Sequence, residues 1–193
     1  MPTNDSSVTS RTGSLLLLGG PPGAGKSAVA EALASTAEQP TVHLHTDSLY
    51  MWIRSGFVPP YLPQAQRQNE VVIDVMINAA CAYAHGGYDV VLDGILGPWL
   101  LTPFRTTCQE DDLALSYAVL RPNLDVALTR ATQREGRQLK EIDPIVGLYG
   151  AFENLGALED HVVDSSDQTV EQTAAEILAG LRADRFALKA AEQ

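Results

Sequence analysis

Gly20-Pro21-Pro22-Gly23-Ala24-Gly25-Lys26-Ser27 fits the pattern G-x-x-x-x-G-K-S/T of a phosphate-binding loop. The apolar run Leu15 to Leu18 in front of it reads as a buried parallel strand. Helix-forming sequence follows, from Ser27 to about Ala37. A strand, a glycine loop and a helix in that order form the context the motif requires. Glycines let backbone N–H groups close around phosphate oxygens, and the new helix points its positive dipole end at them. Gly20, Pro21, Pro22, Gly23, Ala24, Gly25, Lys26, Ser27 and Ala28 are therefore expected to hold a nucleoside triphosphate. Lys26 would reach the β- and γ-phosphates, and the Ser27 hydroxyl would bind Mg²⁺.

The chain has 193 residues, 45% of them hydrophobic, which suits one domain with a full core. A formal net charge of −11 argues against nucleic acid or an anionic membrane as the main partner. Cys81 and Cys108 lack C-x-x-C spacing and read as ordinary thiols, not a disulfide framework. No apolar run reaches membrane-spanning length. Met1 to Thr12 are polar and lack the pattern of a signal peptide, so a cytoplasmic protein is expected.

Apolar runs alternate with longer helical patterns, which predicts βαβ units and a parallel sheet. Strands are expected near Ser14–Leu18, Thr41–His45, Val90–Asp93, Leu115–Leu120 and His161–Val163. A long helix from about Gln64 to His85 would turn Val71, Val72, Val75, Met76, Ala79 and Tyr83 inward. Asn123 is placed to cap a helix running through Arg134. Asp143-Pro144 starts another, with Ile145, Leu148, Tyr149, Phe152 and Leu155 inward. Thr169 with Gln172 makes a capping box for the last helix. The expected organisation is a flexible tail over 1–13, one doubly wound α/β domain over 14–184, and a C-terminal tail over 185–193.

Parallel α/β sheets bind ligands beyond the carboxyl ends of their strands. Asp47 stands at the end of the second strand, where it could accept the proton of a substrate hydroxyl, or merely cap the helix Ser48 to Ser55. Asp93 ends the third strand like a Walker B acid. It could hold Mg²⁺ through water, or orient substrate together with Gly94. Arg130, Arg134 and Arg137 share a helical face before the polar Gln138-Leu139-Lys140-Glu141. They form either a solvated face or a lid whose Arg130 and Arg134 stabilise the transferring phosphoryl group. Trp52 and Arg54, within a stretch rich in aromatics, and Trp99 further on, suit a small organic substrate or a packed cap. His43 and His45 alternate on the second strand and point to one face. They read as buried or cleft-lining residues, since no third histidine or cysteine supports a metal site.

The loop Gly20–Ser27, Asp47-Ser48-Leu49 and the arginine stretch together resemble the small P-loop phosphotransferases, chloramphenicol phosphotransferase above all, with gluconate and shikimate kinases more distant. That resemblance implies strand order 2-3-1-4-5 and Asp47 as the base for the acceptor hydroxyl. It also implies a nucleotide base near Asp164-Ser165-Ser166. The function expected is ATP- and Mg²⁺-dependent phosphoryl transfer to a hydroxyl of a small metabolite or antibiotic, by a monomer or homodimer. A nucleotide or nucleoside kinase, with Arg54, Arg67 and Arg105 at the acceptor phosphate, and a non-catalytic nucleotide-binding regulator are the alternatives.

Overall fold

Leu15 to Leu18 are buried on both sides, and their neighbours explain why. Side chains alternate across a strand, so a continuous apolar run needs cover on both faces of the sheet. In the computed structural model, which describes residues 11–133 and 141–188, Leu15 and Leu17 enter one core cluster, while Leu16 and Leu18 enter a second on the opposite face. This strand, β1 (Leu15–Gly19), is flanked in parallel by β3 (Asp89–Asp93) and β4 (Leu115–Leu120). β2 (Thr41–His45) pairs with β3, and β5 (Val162–Val163) pairs with β4, giving the order 2-3-1-4-5 that the resemblance implies.

The helices are α1 (Lys26–Ser35), α2 (Thr46–Met51), α3 (Gln66–His85), α4 (Leu101–Glu110), α5 (Leu124–Thr132), α6 (Ile142–Gly150) and α7 (Val170–Arg182). α1 and α7 cover one face of the sheet; α3 and α4 cover the other. Two helix starts behave as their sequences predict. Asn123 Oδ1 accepts from the Val126 N–H at 2.9 Å, and Thr169 with Gln172 closes a reciprocal capping box. Among the described residues no helix is long and apolar enough to cross a membrane.

α3 differs from expectation in its inward face. Val71, Val75 and Tyr83 are exposed, and Val72, Met76, Ile77, Ala80, Cys81 and Ala84 are buried. The helix is apolar around much of its circumference, and periodicity alone does not choose which stripe meets the sheet. In α6 only Ile145 is fully buried; Phe152 and Leu155 are buried just beyond the helix end. Cys81 and Cys108 are both buried free thiols; burial raises the pKa of Cys81 and pushes that of Cys108 up to about 12, which disfavours the thiolate.

The packed domain also reaches further at both ends than 14–184. Arg11 pairs with Asp89 at 2.6 Å, and the Gly13 N–H donates to Ala84 O at 2.8 Å. At the other end, the Tyr117 N–H donates to Phe186 O at 2.8 Å, and the Leu188 N–H donates to Leu115 O at 2.9 Å. Residues up to Leu188 thus lie against the first half of β4 through an isolated antiparallel bridge between Ser116 and Ala187, with Phe186 fully buried against Gly180. The chain does so because β5 is only two residues long and leaves that edge of β4 to be filled. Phe186→Ala is expected to cost about 3–5 kcal/mol, seen as a fall of roughly 10 °C in Tm by calorimetry.

Candidate active site

Of the three glycines in the phosphate loop that joins β1 to α1, Gly23 and Gly25 have different reasons to be there. Gly23 has φ +81°, and a Cβ on it would stand 2.0 Å from the Ala127 carbonyl oxygen of α5. Any side chain would therefore push α5 off the loop. Gly25, at φ +89°, faces open space and precedes α1 in a left-handed turn that other residues rarely adopt. Lys26 begins α1, is 6% exposed, and its Nζ donates to Pro21 O at 2.8 Å, so the ammonium is drawn across the loop. The Ser165 hydroxyl donates to Ala24 O at 3.3 Å and ties the segment after β5 to the same loop.

Ser27 Oγ donates to Asp93 Oδ2 at 2.6 Å, so the end of β3 and the start of α1 meet. Asp93 is 2% exposed and carries more partners than expected. His43 Nε2 lies 2.9 Å and His45 Nδ1 3.1 Å from its other oxygen, Oδ1. Burial alone would raise the Asp93 pKa, but the hydrogen bonds from His43 and Ser27 outweigh it and hold the group below the usual carboxylate range. For His43, burial lowers the pKa, and the bonds to Asp93 and to Glu31 more than reverse this, raising it above 6.5. Asp93 is therefore a carboxylate at neutral pH. Its oxygen donors, with the Ser27 hydroxyl, fit a hard cation such as Mg²⁺.

The convergence of His43 and His45 on Asp93 was not read from the sequence. Their shared strand face was legible, and so was the expected adjacency of β2 and β3. The register that sets His45 opposite Asp93 was not. Gly94, expected at the substrate, is buried instead. A Cβ there would stand 2.2 Å from Thr46 Oγ1, so the glycine serves close packing between the ends of β2 and β3.

Asp47 is exposed and is the second residue of α2. It is not a cap: His45 occupies the N-cap position, and no side-chain cap bond is made. Its charge lies close enough to Tyr50 to add to burial in raising that phenol's pKa. Trp52 is 69% exposed and borders a groove of about 410 Å³ between α2 and α3, with Leu49, Ile53, Arg67, Val71 and Val75. Arg54 does not line it; the cation there is Arg67, which pairs with Glu70 at 3.3 Å. Trp99 is not brought to this groove either. It packs edge-on against Phe152 at 5.5 Å.

Arg130 is half-buried on α5, and its guanidinium donates to Ser165 O at 3.2 Å and Ser166 O at 3.4 Å. It borders a recess of about 290 Å³ with Asp125, Val126, Thr129 and Ser166, beside the segment where the resemblance puts the nucleotide base. The described part of α5 ends at Thr132; Arg134, Arg137 and most of the proposed lid lie outside the described residues.

A glycine loop at the end of the central strand, a lysine and serine opening the next helix, and a carboxylate on the neighbouring strand define a P-loop fold of the nucleotide-binding type. A family model described as an AAA domain matches residues 15–144, and the chain belongs to this family of P-loop proteins. No curated protein matches it in sequence. Among solved structures, the tunicamycin resistance protein of Deinococcus radiodurans is similar with TM-score 0.62 at 17% identity, covering 88% of this chain and 95% of that one. A gluconokinase from Sinorhizobium meliloti is similar with TM-score 0.64 at 20% identity, covering 91% and 95%. The APS kinase CysC of Mycobacterium tuberculosis, in complex with AMPPNP and APS, has TM-score 0.62 at 14% identity, covering 89% and 99%. At these identities the shared property is the fold.

Proposed function

We propose that this protein is an ATP- and Mg²⁺-dependent kinase that transfers the γ-phosphate to a hydroxyl of a small molecule. The observation that carries this is the 2.6 Å bond from Ser27 Oγ to Asp93 Oδ2, which joins the phosphate loop to a buried, ionised carboxylate. Loop N–H groups and Lys26 bind the β- and γ-phosphates. Ser27 and Asp93 hold Mg²⁺, whose chemistry is to neutralise charge on the phosphate oxygens. Asp47 accepts the proton of the attacking hydroxyl. The acceptor sits toward α2 and the groove bordered by Trp52. The apolar lining of that groove, with its one arginine already paired to Glu70, favours an uncharged organic acceptor over a nucleotide.

ADP release, measured with and without a panel of alcohols, aminoglycosides, amphenicols, sugars and nucleosides, tests this. Turnover should rise well above background with one class. No acceptor-dependent turnover, together with no ATP-induced rise in Tm, would reject a kinase. Arg130 serves the nucleotide from the side of the base recess. Arg130→Ala is expected to raise KM for ATP by about 10-fold, the loss of one charge-assisted hydrogen bond, with a smaller effect on kcat. A large fall in kcat at unchanged KM would instead move Arg130 to the transferring phosphoryl group.

A further inference from the structure

We propose that His43, His45 and Asp93 form a binding site for one divalent transition-metal ion, with His43 Nε2, His45 Nδ1 and Asp93 Oδ1 as its ligands. The two ring nitrogens come from alternate residues of β2 and approach a single oxygen at the end of β3, at 2.9 and 3.1 Å. All three donor atoms lie within 4.8 Å of one another. A tetrahedral site with bonds of about 2.0–2.1 Å has ligand–ligand edges of about 3.3 Å. The two edges to Asp93 thus need only a slight opening, and the two ring nitrogens already lie within 4.8 Å of each other. His45, 42% exposed in its side chain, is free to make that adjustment and leaves a path from solvent.

The surroundings are those of a metal site as well. Metal-bound histidine usually donates its second ring N–H to a carboxylate, and bound carboxylates are themselves hydrogen-bonded. Here His43 Nδ1 lies 3.2 Å from Glu31 Oε2, and the free oxygen of Asp93 accepts from Ser27 at 2.6 Å. With one proton on Nδ1 toward Glu31, His43 leaves its Nε2 lone pair for a cation; without a cation, a proton on Nε2 makes the bond to Asp93 described above. Two imidazoles and one carboxylate suit Zn²⁺, Co²⁺ or Fe²⁺, whereas Mg²⁺ takes oxygen ligands. With three protein ligands, at least one coordination position stays open next to the phosphate loop.

The site exists without nucleotide, so its test is separate from that of the kinase. The full chain is titrated with Co²⁺ in excess Mg²⁺ and no ATP. One equivalent should bind, with a visible d–d band that Zn²⁺ abolishes by displacement. His43→Ala and His45→Ala should each weaken Zn²⁺ binding by at least about 100-fold. Glu31→Gln should weaken it by about 10–100-fold, as expected for a partner of a ligating histidine. His85→Ala, at a histidine paired with Asp111 elsewhere, should bind as the wild type does. In case the variants misfold, histidine ¹⁵N resonances of the wild-type protein are followed during Zn²⁺ addition. His43 Nε2 and His45 Nδ1 should move at one equivalent, and those of His85 and His161 should not. Unmoved His43 and His45 resonances, full Co²⁺ uptake by a folded His43→Ala/His45→Ala double variant, or displacement of Co²⁺ by Mg²⁺ would each overturn the site.

Discussion

Asp47→Asn is expected to lower phosphoryl transfer by about 10²–10⁴-fold, the range for a positioned general base, while ATP binding stays near wild type. Transfer to an alcohol needs the hydroxyl aligned with the γ-phosphorus and its proton accepted during or after attack. Asp47 lies at the carboxyl end of β2, on the ligand side of the sheet, and it is exposed. Asparagine keeps the shape and one hydrogen bond and removes only the proton acceptor. The structure sharpens this test, because Asp47 makes no cap bond whose loss would confuse the result. A carboxylate in the first turn of a helix contributes about 0.3–1 kcal/mol through the dipole, so the variant's Tm should move little. Wild-type turnover in Asp47→Asn, once an acceptor is known, would end its role as base. Asp93 would be a poor replacement, since it is 2% exposed and already held by Ser27 and two histidines.

Lys26→Ala is expected to lower turnover by about 10³-fold or more, as its ammonium is the cation of the phosphate loop. Lys26 is almost fully buried, and alanine would also remove its packed stem. Lys26→Met keeps the stem and deletes the charge, so it separates charge from packing. Both variants should be inactive, and only the alanine should also lose Tm. Lys26→Arg should fail too, because a planar guanidinium does not fit where a compact ammonium reaches Pro21 O at 2.8 Å. Turnover within about tenfold of wild type in Lys26→Met would show that the lysine does not act on transferred charge.

The parts of this chain that were legible before its structure share a local cause. β2 and β4 begin and end at the expected residues, and β1, β3 and β5 within one residue, because short apolar runs bounded by glycine, proline and acids leave little choice. The caps at Asn123 and Thr169 depend on residues three apart, and both form. Ser27 was legible from a motif and Asp93 from a strand end; the bond between them came only with the structure. Features that depend on contacts between distant segments came out differently. Val71 and Val75 border a groove instead of the core, Arg67 stands there in place of Arg54, and Trp99 packs on Phe152. Residues up to Leu188 bridge to the edge of β4, because a strand edge offers unpaired N–H and C=O groups to chain that reaches it.

The sequence by itself determined the phosphate loop, the alternation of strands and helices, and the acids at two strand ends. These rest on backbone conformation and side-chain period, which act over a few residues. Only the tertiary structure decided which face of α3 is buried, where α5 presses on Gly23, and that His43 and His45 meet Asp93. Those follow from strand register and helix rotation. A shift of one residue in the pairing of β2 with β3 would turn both histidines to the other face of the sheet.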